Sequence, residues 1–268
     1  MAPNGWPEIS SAADNGNAVG SLYADLSVYY DSFCAHVDYA GQCAFADRAF
    51  AALADAQGKS LLDLACGTGQ HLSIMSELGY TVSGLDNSPA MLAAARQRCP
   101  SARLILQDIA SFEFTSSFDL ITCFLYSIHY SFPVASLATT LARAWEALKP
   151  GGLLLFDLAD KAGVAQRDAV SQARLDGADF EFRSGWRYCG DGEALDLLVS
   201  IRRLADGQGG TEAAHWTDRH TMTAISIAEV VAIMQRLGFD VQVFEHDFTA
   251  LRAWAGESFN VIIVGVRP

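Results

Sequence analysis

One short stretch constrains the fold more than the rest of the chain together. Leu61-Leu62-Asp63-Leu64-Ala65-Cys66-Gly67-Thr68-Gly69-Gln70-His71 passes from an apolar strand through an acid and a two-glycine turn into a helix. Glycine adopts positive φ without penalty and lets a ligand approach the main chain. The helix start offers unpaired N–H groups to an anion. About twenty residues on, Thr81-Val82-Ser83-Gly84-Leu85-Asp86 forms a second strand that also ends in an acid. In a parallel α/β sheet a carboxylate there takes both hydroxyls of a ribose. Together the two strand ends predict a nucleoside cofactor.

The pattern around this stretch alternates. Strands are predicted near 60–65, 81–86, 102–107, 118–124 and 152–159, with helices near 69–78, 88–98 and 134–148. Pro89 suits a first helical position after an Asn87 or Ser88 cap. Lys149-Pro150-Gly151-Gly152 ends the last of these helices. Such alternation predicts an α/β fold with a doubly wound, mostly parallel sheet. Leu22 to Ala54 reads as helical and aromatic-rich, after a loose arm over residues 1–20. The rhythm breaks over 175–225. There, three strand-like runs (Asp179–Cys189, Ala194–Leu204, His215–Ile225) separated by glycine turns predict an antiparallel cap. A helix at Ile227–Leu237 and strands at Asp240–Phe248 and Phe259–Val266 close the chain. The expected core is therefore 21–174 with 226–268.

Composition excludes some classes. The net charge is −13, from 18 basic and 31 acidic residues, and a surface of that sign repels a phosphate backbone. A nucleic-acid partner is not expected. The six cysteines show no CxxC pair, which fits free thiols in a reducing compartment. The first twenty residues lack a signal-peptide pattern, and no apolar run nears the roughly 20 residues that span a bilayer. The expectation is a cytoplasmic protein, monomer or homodimer, with no membrane partner. His215 and His220 lie five apart in a strand-like run and face opposite sides, so no metal site is expected.

Several residues fall where one ligand would touch all of them. Gly67 and Gly69 leave room at the first strand end. Asp86, beside Asn87, ends the second. Met91 can lie flat against a base, and Asp108 and Ile109 end the third strand, where an acid accepts from an exocyclic amine. Cys123 and Phe124 end the fourth. Ligands of open α/β sheets lie outside these carboxyl ends. A dinucleotide fingerprint would need a third glycine, where Leu72 stands.

The segments LLDLACGTGQHL, VSGLDNSPAMLAAAR, LILQDIASFEF, FDLITCFLYSIHY and LARAWEALKPGGLLLFD resemble the class I S-adenosylmethionine-dependent methyltransferases. The resemblance covers 60–160 and extends to the two closing strands. It implies a seven-stranded sheet with its last strand antiparallel. It also implies S-adenosylmethionine as cofactor, with Ala65, Gly67 and Gly69 at the methionine part, Asp86 at the ribose, Met91 on adenine, and Asp108 with the Ile109 amide at the adenine edge. His71 is a further cofactor candidate; the alternative is a solvent-facing helix start.

A narrower likeness, carried by LYADLSVYYD, CGTGQHL, TCFLYSIHY and the meander, is to amino-sugar N,N-dimethyltransferases. Those enzymes carry a histidine after strand four and a tyrosine near the N-terminus. Here the loop reads Ser127-Ile128-His129-Tyr130 in place of Ser-Ile-Gly-His. Phe156-Asp157-Leu158-Ala159 replaces a Trp-Trp stretch. The resemblance makes His129, Tyr130 and Tyr30 the catalytic candidates, Tyr30 also reaching the cofactor. Tyr23, Trp186, Tyr188 and Trp216 are candidates for stacking on substrate, with core packing as the alternative. Asp157 and Asp160 either touch substrate or are solvated. The function implied is methylation of a nitrogen on a small metabolite, a planar heterocycle or an amino sugar. O-methylation and a silent cofactor-binding regulator are the alternatives.

Overall fold

A computed structural model describes residues 21–23, 27–164, 168–204 and 214–268; the expected arm over 1–20 lies outside them. Turns of 3₁₀ helix at Ser21–Tyr23 and Ser27–Tyr29 lead into α1 (Tyr30–Phe33) and α2 (Tyr39–Leu53). Then come β1 (Ser60–Leu64), α3 (Gln70–Glu77), β2 (Thr81–Asp86), α4 (Pro89–Arg98), β3 (Arg103–Leu106) and β4 (Phe118–Cys123). A 3₁₀ turn, Ser127–Tyr130, precedes α5 (Val134–Ala147) and β5 (Leu148–Ala159). Four strands follow: β6 (Asp168–Leu175), β7 (Ala178–Arg187), β8 (Ala194–Arg203) and β9 (Ala214–Thr223). The chain closes with α6 (Ile227–Leu237), β10 (Asp240–Glu245) and β11 (Asn260–Val266).

The main sheet has seven strands in the order β10-β11-β5-β4-β1-β2-β3. β11 runs antiparallel to both neighbours, and the remaining pairings are parallel. This is the doubly wound architecture expected from the alternation. Apolar strands bury both faces under helices. One cluster gathers Leu62, Ile121, Phe156 and Ile263 with residues of α5 and α6. The other gathers Leu61, Leu120, Leu155 and Ile262 with residues of α2 and α3. Among the described residues no helix is long and apolar enough to cross a membrane.

Three details depart from the expected boundaries. The predicted helix over Leu22–Ala54 divides, because the segment before α2 packs away from the core. Leu22, Tyr29, Tyr30 and Phe33 join Phe180, Phe182 and Ile201 of the second sheet in a separate apolar cluster. That second sheet has four strands, β6-β7-β8-β9, so one strand precedes the three expected. Its first turn is Asp176-Gly177, with φ of 49° and 82°, the conformation that favours Asp-Gly in two-residue hairpins. Finally, β5 begins at Leu148, the last residue of the predicted helix, and takes in the Lys149–Gly152 segment read as a turn, and the register with β4 jumps from Phe118↔Leu148 to Leu120↔Leu153. Gly151 carries φ of 78° there, and a Cβ would lie 2.9 Å from the Ala56 nitrogen.

A buried carboxylate ties the amino ends of three central strands. Asp119 Oδ2 accepts from Ser60 N at 2.9 Å, Ser60 Oγ at 2.5 Å and Lys149 Nζ at 2.9 Å. Burial alone would push this carboxyl up. The Ser60 and Lys149 hydrogen bonds and the ammonium charge outweigh it and hold Asp119 below the usual carboxylate range. A depressed folded-state value stabilises the protein above the unfolded value, and that contribution is lost as pH falls through the folded one. Asp119→Asn is therefore expected to lower unfolding free energy at pH 7 by about 1–3 kcal/mol. In urea titrations the gap to the parent protein should close as the pH is lowered below 4.

Candidate active site

The strand order reverses between β1 and β4, and a cleft opens at the carboxyl ends of these strands, where ligands of such sheets bind. Tyr30, Tyr39, Asp63, Ala65, Gly67 and His71 line it with Phe124 and Ser127. The turn after β1 takes up positive φ at Ala65 (54°), Gly67 (54°) and Gly69 (79°). A Cβ on Gly69 would press to 3.1 Å from the Ala95 Cα, so glycine here lets α3 and α4 approach. A Cβ on Gly67 would meet only Tyr30 Cε1, at 3.8 Å. Gly67 thus leaves its main chain open to the cleft.

Asp86 joins this turn to the next. Its Oδ2 accepts from Gly67 N at 2.9 Å and its Oδ1 from Ser88 N at 2.8 Å. Burial pushes its carboxyl up, against the pull of these amides and that of Asn87. Asn87 is exposed beside it, whereas Met91 is buried under the first turn of α4. Asp108 is exposed and its Oδ1 accepts from Ala110 N at 2.8 Å; Ile109 is buried. The side chain of Cys123 lies wholly inside the core, and from its strand end Phe124, Leu125 and Ser127 reach the cleft instead.

Two buried polar groups face the cleft. His71 is not solvent-facing: its Nε2 lies 2.7 Å from Gln42 Oε1 and its ring stacks on Phe124 with centroids 4.8 Å apart. Burial lowers its imidazole to about 3, so it is neutral at physiological pH. Asp63 Oδ1 accepts from Thr122 Oγ1 at 2.7 Å, but Oδ2 has no hydrogen-bond partner. Burial pushes this carboxyl to about 7. A buried carboxylate oxygen without a donor, on the wall of a glycine-framed cleft, fits the ammonium of an amino-acid moiety. Asp86 fits the ribose at the neighbouring strand end.

The N-terminal segment roofs this space. Tyr30 lines the cleft, and Asp31 accepts from Thr68 Oγ1 at 2.7 Å and Arg98 Nη2 at 2.6 Å. Tyr23 OH and Tyr130 OH lie 2.6 Å apart, and Ser88 Oγ donates to the Tyr23 carbonyl. Beyond β4 the backbone is strained, with Leu125 and Tyr126 at φ of 58° and 57°. Asp157 holds this turn, accepting from Leu125 N at 3.2 Å and Tyr126 N at 2.7 Å. Asp157 is therefore a buried structural acid, and Asp160 accepts from Ile227 N, at the start of α6.

His129 is fully buried. Its Nδ1 donates to the Thr223 carbonyl at 2.7 Å, and its Nε2 accepts from Ala159 N at 3.2 Å. Both ring nitrogens are used by the main chain, and burial lowers the imidazole. Trp186 packs edge-on against His129 and Tyr126, at 5.6 and 5.3 Å between centroids. Trp216 lies on Tyr29 at 5.9 Å, within the apolar cluster of the second sheet. Tyr188 packs with Trp186, and its hydroxyl donates to the Gly192 carbonyl at 3.2 Å. The structure thus gathers Tyr23, Tyr30 and Tyr130 on one side, and places Trp216 and Tyr188 in packing. Tyr39, Thr68 and Gln70 are cleft residues the sequence reading did not name. Thr68 and Gln70 lie inside the glycine-turn motif, which was the available signal; Tyr39 had only the aromatic density of its segment.

A cleft of this makeup on this sheet is similar to that of S-adenosylmethionine-dependent methyltransferases. Residues 61–152 match the methyltransferase domain family. The chain is 30% identical over 140 residues to a putative methyltransferase of Geobacillus sp. (strain WCH70), spanning 51% of this chain and 57% of that protein. It is 29% identical over 199 residues to a dTDP-3-amino-3,4,6-trideoxy-alpha-D-glucopyranose N,N-dimethyltransferase of Streptomyces venezuelae, spanning 70% and 78% of the two chains. The crystal structure of Streptomyces venezuelae DesVI superposes with a TM-score of 0.71 at 27% identity, covering 91% of this chain and 99% of that one.

A cationic group beside Asp63 favours the charged carboxylate, so cofactor binding should expel a proton below pH 7. Calorimetry is expected to show S-adenosylmethionine affinity rising several-fold from pH 6 to pH 8. The rise should vanish in Asp63→Asn.

Proposed function

We propose that the chain methylates a nitrogen of a small metabolite, and that an amino sugar carried on a nucleotide is the class of acceptor. One observation supports this most: a roof built from the N-terminal segment and the second sheet covers the cleft through a shared apolar cluster. Enclosure of that kind suits a small molecule rather than a macromolecular surface. The amino-sugar dimethyltransferase of Streptomyces venezuelae, matched over 78% of its length, supports the choice of acceptor.

When bound, S-adenosylmethionine supplies the electrophilic methyl group. The protein's residues have three tasks. Asp63, the Gly67 turn and Asp86 hold the cofactor's polar groups. The roof excludes water and fixes the acceptor in line, an effect worth up to about 7–11 kcal/mol in favourable cases. Tyr130, paired with Tyr23, hydrogen-bonds the acceptor. Burial pushes both phenols up, so they remain protonated, and they orient the acceptor rather than deprotonate it. On this reading His129 is a positioning residue: its ring pins the loop after β4 to β5 and β9, leaving no nitrogen for the acceptor.

With dTDP-3-amino-3,4,6-trideoxy-α-D-glucopyranose as acceptor, wild-type protein should yield the N-methylated sugar, read by mass spectrometry. Tyr130→Phe should lower kcat/KM about tenfold or more with thermal stability kept. His129→Ala should lower thermal stability as well as rate. No product from this sugar or related amino sugars would refute the acceptor class.

A further inference from the structure

The phenols beside the cleft do not supply a base, His71 is too weak a base, lowered by burial to about 3, and both ring nitrogens of His129 are bound to the main chain. An amine acceptor still has to lose a proton as its nitrogen is alkylated. Next to the Tyr23–Tyr130 pair stands an imidazole that nothing above has used. His220 projects from β9 against these rings, its centroid 5.1 Å from Tyr23 and 5.7 Å from Tyr130. It is only 8% exposed, and its Nε2 makes no aligned hydrogen bond although the Asp218 carboxylate lies 3.2 Å away. A buried nitrogen left unsatisfied among polar neighbours calls for an explanation.

The neighbour two residues earlier on the same strand supplies part of it. Asp218 Oδ2 lies 3.2 Å from His220 Nε2, out of line for a hydrogen bond, and accepts from Leu22 N at 2.9 Å. The carboxylate thus binds the main chain immediately before Tyr23. It also stands where an imidazole that gains a proton would find an opposite charge. Odd spacing on β9 sends His215 to the exposed face, so His220 alone of the pair reaches the tyrosines.

Resting on the amino-sugar reading, we propose that His220, with Asp218 beside it, forms the acceptor's proton-accepting subsite, completed by the hydroxyls of Tyr130 and Tyr23. The acceptor's N–H bond breaks and its electron pair stays on nitrogen, free to form the new N–C bond. The proton goes to the lone pair of the ring nitrogen turned away from Asp218, giving an imidazolium beside the Asp218 carboxylate. The second sheet then contributes a reacting group to the site, and the roof over the cleft is part of the chemistry.

The test compares wild type with His220→Gln and Asp218→Asn, using the same nucleotide-linked amino sugar as probe. His220→Gln should lower kcat by 10²–10⁴-fold. S-adenosylmethionine affinity, measured calorimetrically, should stay within twofold. Asp218→Asn should lower kcat about tenfold, and free imidazole should restore part of the rate to His220→Ala. Independently, adding the probe with S-adenosylhomocysteine should shift one histidine side-chain resonance in ¹H–¹⁵N spectra of the wild type, a resonance missing in His220→Gln. Wild-type turnover with His220→Gln within threefold of it would overturn the assignment and leave the amino-sugar reading intact. Loss of cofactor binding together with turnover in His220→Gln would mark a structural residue and also overturn it. A shifted resonance without wild-type turnover would uphold the subsite and sink the amino-sugar reading; no shift and no turnover would sink both.

Discussion

The carboxylate of Asp86 joins the two turns that frame the cleft. One oxygen receives the amide of Gly67, from the turn after β1, and the other that of Ser88, at the cap of α4. A single side chain thereby sets the distance between the first two strand ends. The Ser88 hydroxyl in turn caps α4 at Met91 N and donates to the Tyr23 carbonyl, so the roof is hung from the same place. Buried acids with several donors rigidify a site because each unmet bond would carry a desolvation penalty. The cleft wall, the α4 cap and the roof thus share one polar anchor.

The opposite wall is held by a second carboxylate under different stress. Asp157 grips the amides of two consecutive residues in the left-handed region, a conformation that costs non-glycine residues roughly 1–2 kcal/mol each. His246 lies 3.5 Å from the same carboxylate and stacks on Tyr126. His129 then clamps the loop to β5 and β9 through its ring nitrogens. The result is a loop placed by main-chain contacts, which leaves Ser127 at the cleft and Tyr130 against the roof. Acidic residues that look alike in sequence serve here as ligand wall, structural staple and helix cap.

Much of this was legible in the chain before folding. The alternation of strands and helices, the glycine turn, the acid at the end of β2 and the Pro89 start of α4 all follow from local chemistry, and the seven-stranded sheet carries them. The antiparallel second sheet was legible from its glycine turns, although its first strand was missed because Asp168–Leu175 lacks both the aromatic residues of β7 and β9 and the aliphatic run of β8. Within the site, the residues of the glycine turn were readable from the motif. The side chain of Cys123 was not, since period-2 alternation alone does not say which face of a fully buried strand turns to the core.

Sequence by itself determined the class of fold and the chemical type of ligand, because strand–turn–helix geometry and strand-end acids are local properties. The three-dimensional packing decided how each histidine is held. His129 stands in the suggestive loop but has both nitrogens bound to main chain. His220, ninety-one positions further along, comes to lie beside the paired tyrosines with Asp218 3.2 Å from its Nε2. The physical reason is that hydrogen-bond saturation of a buried ring depends on partners from distant strands, and no local pattern encodes that sum.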